Sequence, residues 1–332
     1  MKTKWYLFIS IILTLSIVIY NFVSFDKENP YKIGILMVGK ERSEKYEGLQ
    51  AGLLDLGYEK EDFHFIVKSA KDDTELLRKQ IKELLNEDID LIVTLGGIET
   101  VELKKQIEKE NRTIPVVFAG VAAPREIGII DDYRSPGGSF TGINNYHTSL
   151  SGKRLELLHD LVPSIERVLV IYDQDVDVSR LSLQKTIEAA EALSIKIIPF
   201  NVSNKDYKDL MERTVQKNDA LLILPSFRIE SLTKEIVSFS KEYAIPVMGI
   251  YEHEVEAGYL ASYGSSFFDQ GYHSSRFVSS ILQGNSPSQI PTELPDTVRF
   301  LINKEVTDKL NIHVSKELIP MAEFINEKGE IQ

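Results

Sequence analysis

The chain contains no cysteine. That single absence excludes a disulfide framework, a thiolate metal site, a cysteine nucleophile and a lipid attached to an N-terminal cysteine. Basic residues are in deficit as well: 38 Lys and Arg stand against 50 Asp and Glu, a formal net charge of -12 over 332 residues. Such a chain offers no basic stripe for a phosphate backbone, so nucleic acid is not an expected partner. The six histidines are scattered and include no His-Glu-x-x-His. A Gly-x-Ser-x-Gly elbow and a Gly-rich phosphate loop ending in Lys-Ser or Lys-Thr are missing too. The nearest approach to a ligand cluster, Glu252-His253-Glu254-Val255-Glu256, has neighbours pointing in different directions and reads as a solvated acidic turn. Gly264-Ser265-Ser266, ahead of a helical stretch, reads as an N-cap. No catalytic residue, metal ligand or cofactor is assigned, and the chain is not expected to be an enzyme.

One long hydrophobic run is present, and it stands first. Met1-Lys2-Thr3-Lys4 leads into an uncharged run from Trp5 to Phe25, followed by Asp26 and Glu28. At about 1.5 Å rise per residue it is long enough to cross a hydrocarbon core roughly 30 Å thick. Lysines before it and acids after it place the N-terminus in the cytoplasm and the bulk of the chain outside. Its exit, Tyr20-Asn21-Phe22-Val23-Ser24-Phe25, lacks the small residues of a cleavage site. Residues 1–30 are therefore expected to form a retained transmembrane anchor, with a cleaved signal as the alternative.

Beyond the anchor, apolar β-rich runs alternate with amphipathic helical stretches. Strands are expected over 32–38, 63–68, 90–95 and 114–118, with helices over 43–56, 72–86 and 98–110. Such alternation predicts a parallel sheet covered on both faces, and runs such as Leu91-Ile92-Val93 suit strands buried on both sides. The series then repeats, with strands over 167–172, 195–200, 220–224 and 246–250 and helices over 179–193, 204–215 and 229–243. Asp90-Leu91-Ile92 is matched by Asp219-Ala220-Leu221, and Ile114-Pro115-Val116 by Ile245-Pro246-Val247. The tail gives a strand over 259–263, a helix over 267–282 and a last strand over 297–302; residues after about 315 carry little periodicity. The expected architecture is α/β: two doubly wound parallel-sheet lobes joined by a multi-crossing hinge, plus the N-terminal transmembrane helix. Residues 31–143 and 264–288 are assigned to the first lobe, and 144–263 and 289–320 to the second. Gly, Ser and Pro mark the crossings near 142–146, 262–264 and 286–295.

In open α/β sheets, ligands settle beyond the carboxyl ends of the strands, and two such lobes face each other across a cleft. The strand ends supply Gly39, Gly97, Glu99, Gly120 and Val121 in the first lobe and Tyr172, Asp173, Asp175, Ser226, Phe227, Tyr251 and Glu252 in the second. Gly96-Gly97 ends a strand and opens a helix, so bare N–H groups can meet a carboxylate, or the pair simply makes a tight turn. Glu99, Asp173, Asp175 and Glu252 suit an ammonium group, or act as N-caps and solvated acids. Tyr172, Phe227 and Tyr251 can wall an apolar or aromatic ligand, or pack the rim. Tyr146, beside the first crossing, can close over the site or pack the hinge.

The ordered set Lys32-Ile33-Gly34-Ile35-Leu36, Leu56-Gly57-Tyr58, Ile114-Pro115-Val116-Val117-Phe118, Pro136-Gly137-Gly138-Ser139-Phe140-Thr141-Gly142, Ala257-Gly258-Tyr259-Leu260-Ala261-Ser262-Tyr263-Gly264 and Leu301-Ile302-Asn303 resembles the ABC transporter substrate-binding family that includes tryptophan- and tyrosine-binding lipoproteins. The resemblance spans about residues 31–314. It implies a type I periplasmic-binding fold, a small-molecule ligand between the lobes, often an aromatic amino acid, and an ABC permease as partner. It places ligand-facing positions on Gly97, Gly120, Tyr172, Ser179, Ser226 and Glu252. The chain departs from the family at Leu95-Gly96-Gly97-Ile98-Glu99, at Ala122-Ala123-Pro124-Arg125 and in having no lipidated cysteine, whose tethering role the N-terminal helix would take. A monomer is expected. A membrane-anchored sensor that signals ligand occupancy to a partner receptor is the alternative.

Overall fold

A computed structural model describes residues 30–326, so the expected anchor over 5–25 lies outside them. Among the described residues no helix is long and apolar enough to cross a membrane. The first sheet comprises β1 (Tyr31–Met37), β2 (Phe63–Ser69), β3 (Leu91–Thr94), β4 (Val116–Val121) and β5 (Phe140–Asn144), all parallel, in the order β2-β1-β3-β4-β5. Its central strands β3 and β4 are buried throughout and almost wholly apolar because both faces are covered. Leu36, Ile92, Val116 and Phe118 pack on one side, and Ile33, Ile35, Leu91, Val93 and Val117 on the other.

The second sheet joins β6 (Arg167–Tyr172), β7 (Lys196–Asn201), β8 (Asp219–Ile223), β9 (Val247–Gly249), β10 (Ala261–Gly264), β11 (Arg299–Asn303) and β12 (Ala322–Ile325), in the order β12-β11-β10-β9-β8-β6-β7. The same alternation recurs: Val168, Val170, Ala220 and Leu222 face one core, Leu169, Ile171, Leu221 and Ile223 the other. β11 runs antiparallel to β10, and β12 parallel to β11. The chain is thus an α/β protein of two parallel-sheet lobes.

Helix Phe267–Leu282, at the bounds the sequence suggests, lies against helix Ser43–Asp55 of the first lobe. Glycines permit the approach. A Cβ on Gly48 would meet the Phe268 carbonyl oxygen at 2.1 Å, and one on Gly271 the Lys45 carbonyl oxygen at 1.8 Å.

Several elements differ from expectation. β5 and helix Ser151–Leu161 were not anticipated, because Phe140-Thr141-Gly142 is short and glycine-broken and the helix hides a charged residue, Arg154, in its buried face. The expected helix 229–243 is two, Phe227–Ser231 and Thr233–Tyr243. The run at Glu252–Ala257 is a helix and not a solvated turn; Glu254 in it is fully buried, accepting from the amides of Ile250 at 2.6 Å and Tyr251 at 2.9 Å. The unperiodic tail supplies β12 through backbone pairing. Residues expected to pass to the second lobe at 289 stay beside β5 further on: Ile290 O accepts from Thr141 Oγ1 at 2.7 Å, and Glu293 pairs with Ile143.

Candidate functional site

Each sheet reverses its strand order once, between β1 and β3 in the first and between β6 and β8 in the second. Loops leaving such a pair part to opposite faces and open a crevice at the carboxyl edge. The loops after β1 and β3 carry Arg42 and Gly97; those after β6 and β8 carry Asp175, Ser226 and Phe227. All five line one cavity of about 490 Å³ between the lobes, joined by Gly120 after β4, by Asn145 and His147 in the first crossing, and by Tyr251 after β9.

Helix Gly97–Glu110 opens at this cavity, which Gly97 and Ile98 line, and its N-cap Gly96 has no side chain to cap the first N–H groups. A Cβ on Gly97 would meet no atom within 4 Å, the mark of an open approach. Gly120 is different: its φ is +95°, and a Cβ there would meet Gln270 Oε1 at 1.8 Å. Opposite them, Ser226 Oγ donates to Asp173 Oδ2 at 2.8 Å, and Tyr251 stands edge-on to His147 with ring centroids 5.3 Å apart.

The wall is rich in buried charge. Arg42 pairs with Glu230 of the other lobe at 3.0 Å and stands 3.9 Å from Glu99. Burial alone would weaken its hold on the proton, but Glu230 and Glu99 beside it carry the guanidinium above its ordinary pKa. Burial raises the carboxyl of Glu230, with Arg42 opposing. The Lys45 ammonium is fully buried, donates to Ala119 O at 2.8 Å and lies 4.8 Å from the Phe267 ring centroid. Burial and the adjacent Arg42 hold its pKa well below that of a free lysine. Arg42 Nε, Glu99 Oε2, His147 Nε2 and Gln270 Oε1 are buried without a hydrogen-bond partner among the described residues.

Of the residues expected from the sequence, Gly97, Gly120, Asp175, Ser226, Phe227 and Tyr251 line this cavity together. The others stand elsewhere. Tyr146, in the left-handed region with φ 62°, lines a second cavity of about 440 Å³ with Tyr133, Thr292 and Leu294. Asp173 is saturated by the protein: besides Ser226 it accepts from Arg228 Nη1 at 3.2 Å, Ser203 Oγ at 3.2 Å and the Asp175 amide at 3.0 Å. Ser179 Oγ accepts from the Asp173 amide at 2.9 Å and is fully buried. Glu99 accepts from the Val38 amide at 2.8 Å, behind Arg42. Glu252 is paired with Arg299, Val121 and Tyr172 pack with core clusters, and Gly39 abuts Asp72. Arg42, Asn145, His147 and Arg228 line the cavity and were not read from the sequence. Arg42 and Arg228 each lie within a few residues of a strand end, the one signal that would have found them.

The chain is similar to known proteins along nearly its whole length. It is 22% identical over 291 residues, 86% of this chain and 83% of the other, to a tyrosine-binding protein of Clostridioides difficile. It superposes with a TM-score of 0.81 at 22% identity on an ABC domain from Streptococcus pneumoniae in complex with L-Trp, covering 89% of this chain and 99% of that one. A ligand-free, open substrate-binding protein with adhesive properties from Clostridium difficile gives 0.67 at 20% identity, again over 89% and 99%. The profile of the ABC transporter substrate binding protein family matches residues 32–325, and the chain belongs to that family.

Proposed function

We propose that this chain is the extracytoplasmic, membrane-tethered binding component of an ABC importer and that its ligand is an amino acid with an aromatic side chain. The observation that carries the reading is the cavity between the two carboxyl edges. Its volume, about 490 Å³, falls in the range of small-molecule sites. The N–H groups of the helix start at Gly97 suit a carboxylate, and Phe227 and Tyr251 offer aromatic faces. The binding of Tyr and L-Trp by the similar proteins points the same way.

Capture works by hinge closure in this reading. The first lobe, 31–143 with 264–293, and the second swing about the crossings, and the ion pair from Arg42 to Glu230 forms as they meet. Better superposition on the L-Trp complex than on the ligand-free, open protein supports a closed arrangement. The chain does no chemistry on its guest; as a monomer it docks on a permease, held by the N-terminal anchor. Thermal-shift measurement of the full chain with L-Tyr, L-Trp and the other amino acids tests this. A ligand at 100 times its Kd adds about 2.7 kcal/mol to folded-state stability. Absence of a shift with every amino acid would overturn the proposal.

A further inference from the structure

His147 sits in the first crossing, held from several sides. Its amide donates to Asn145 Oδ1 at 3.2 Å, and its carbonyl accepts from Ser151 Oγ at 3.1 Å and Arg154 Nη1 at 2.9 Å. Arg154, fully buried in helix Ser151–Leu161, also donates through Nε to Tyr263 O at 2.7 Å, fixing its own position against β10. Its Nη2 lies 3.1 Å from His147 Nδ1. A guanidinium has donors and no acceptor, so Nδ1 must present a lone pair. The proton of the neutral ring then stands on Nε2. Burial, followed by the positive charges of Arg154, Lys45 and Arg42, lowers the pKa of His147 well below that of a free histidine, which keeps the ring neutral. His147 is fully buried and is one of the residues that line the cavity, yet Nε2 has no partner among the described residues. A buried N–H without an acceptor is costly and calls for one from outside the protein.

The surroundings say which acceptor. The partners recorded for Lys45 Nζ and for the Arg154 guanidinium are carbonyl oxygens and the His147 ring nitrogen, not carboxylates. Glu230 is taken up by Arg42 at 3.0 Å, and Glu99, 3.9 Å from Arg42, accepts from the Val38 amide. The start of helix Gly97–Glu110, uncapped by any side chain, opens on the same cavity. The neutral N–H donor, the Arg154 guanidinium hydrogen-bonded to no carboxylate and the helix start favour an anionic oxygen.

We propose that His147 reads the carboxylate of the ligand through a fixed Nε2–H donor, with Arg154 as the positioning residue that sets its tautomer. This rests on the amino-acid reading of the cleft.

The test is calorimetric titration of the full chain with L-tryptophan and with tryptamine, which lacks the carboxylate and has no oxygen in its place. His147→Leu should weaken L-tryptophan binding roughly 10- to 100-fold, the worth of a hydrogen bond to a charged group, and leave tryptamine binding unchanged. His147→Gln, which keeps an N–H donor, should recover part of the loss. Because His147→Leu risks disturbing the crossing, nitrogen-15 spectra of the histidines in the unaltered chain supply a second reading. They should show a protonated Nε2 that shifts when L-tryptophan is added, and Arg154→Met should release the ring into mixed tautomers. Equal affinity in His147→Leu, an equal loss for both ligands, or a proton on Nδ1 overturns the assignment while leaving the cleft as the binding site. An unaltered chain that binds no amino acid overturns both.

Discussion

The guanidinium of Arg42 and the carboxylate of Glu230 meet at 3.0 Å across the cleft, with side chains 7% and 8% exposed. Arg42 follows β1 and Glu230 lies in the helix after β8, so this contact exists only while the two lobes are apposed. The attraction of a buried pair is largely offset by the cost of stripping both ions of water. Losing one partner is another matter, since it strands a charge that only separation of the lobes can rehydrate.

Glu230→Gln should therefore favour lobe separation. The ligand-free variant is expected to give a larger radius of gyration by small-angle scattering than the unaltered chain, and ligand affinity should fall on the order of 10-fold, a typical coupling between a conformational equilibrium and binding. Identical scattering curves would show that the pair does not hold the lobes together.

Two glycines at the cavity should respond in opposite ways. Gly120→Ala forces a side chain into a positive-φ position and against Gln270 and Lys45, and should cost about 2 kcal/mol in urea unfolding. Gly97→Ala has open space before it and should change stability by less than about 0.5 kcal/mol while weakening ligand binding. Equal stability losses in the two variants would contradict this division.

Acid should destabilise the fold through His147. Burial and the neighbouring cations hold its folded pKa below the ordinary 6.5, so below that pH the unfolded chain binds the extra proton. The contribution is fully present above about pH 6.5 and is lost as pH falls toward the folded value, by at most about 1.4 kcal/mol per pH unit. Burial raises Glu230 and Glu254, which act with the opposite sign above pH 4.5. The difference between the unaltered chain and His147→Gln isolates the histidine. Urea midpoints at pH 5 and pH 7 should converge for this pair as pH drops, and a pH-independent difference would refute the account.

Much of the fold was legible in the residues because burial on both faces imprints a simple pattern. Leu91-Ile92-Val93 has to be apolar throughout when alternate side chains enter different cores, and Ala220-Leu221-Leu222 repeats it. Helix Phe267–Leu282 came through at its observed bounds, since it buries one stripe and begins at a serine cap whose Oγ accepts from the Asp269 amide at 3.0 Å. β12 left no such trace because its place is secured by backbone pairing along Phe300–Asn303, which asks little of side-chain pattern.

The candidate site was half legible. Of the glycines and aromatics expected at strand ends, Gly97, Gly120, Phe227 and Tyr251 line the cavity, while Gly39 abuts Asp72 and Tyr172 packs with a core cluster. Asp173 carries the right chemistry at the right place but is consumed by Ser203 and by Ser226 and Arg228, which arrive from two other segments.

Local periodicity and the doubled order of strands determined that there would be two sheets with facing carboxyl edges, because each rule acts over a few residues of chain. Which charges share the gap was settled only by tertiary packing. Arg42 and Glu230 are 188 residues apart, and the contact from Arg154 to Tyr263 spans 109. Pairings of that kind depend on how separate elements are brought together, and no stretch of sequence records the distance between two side chains that meet only after folding.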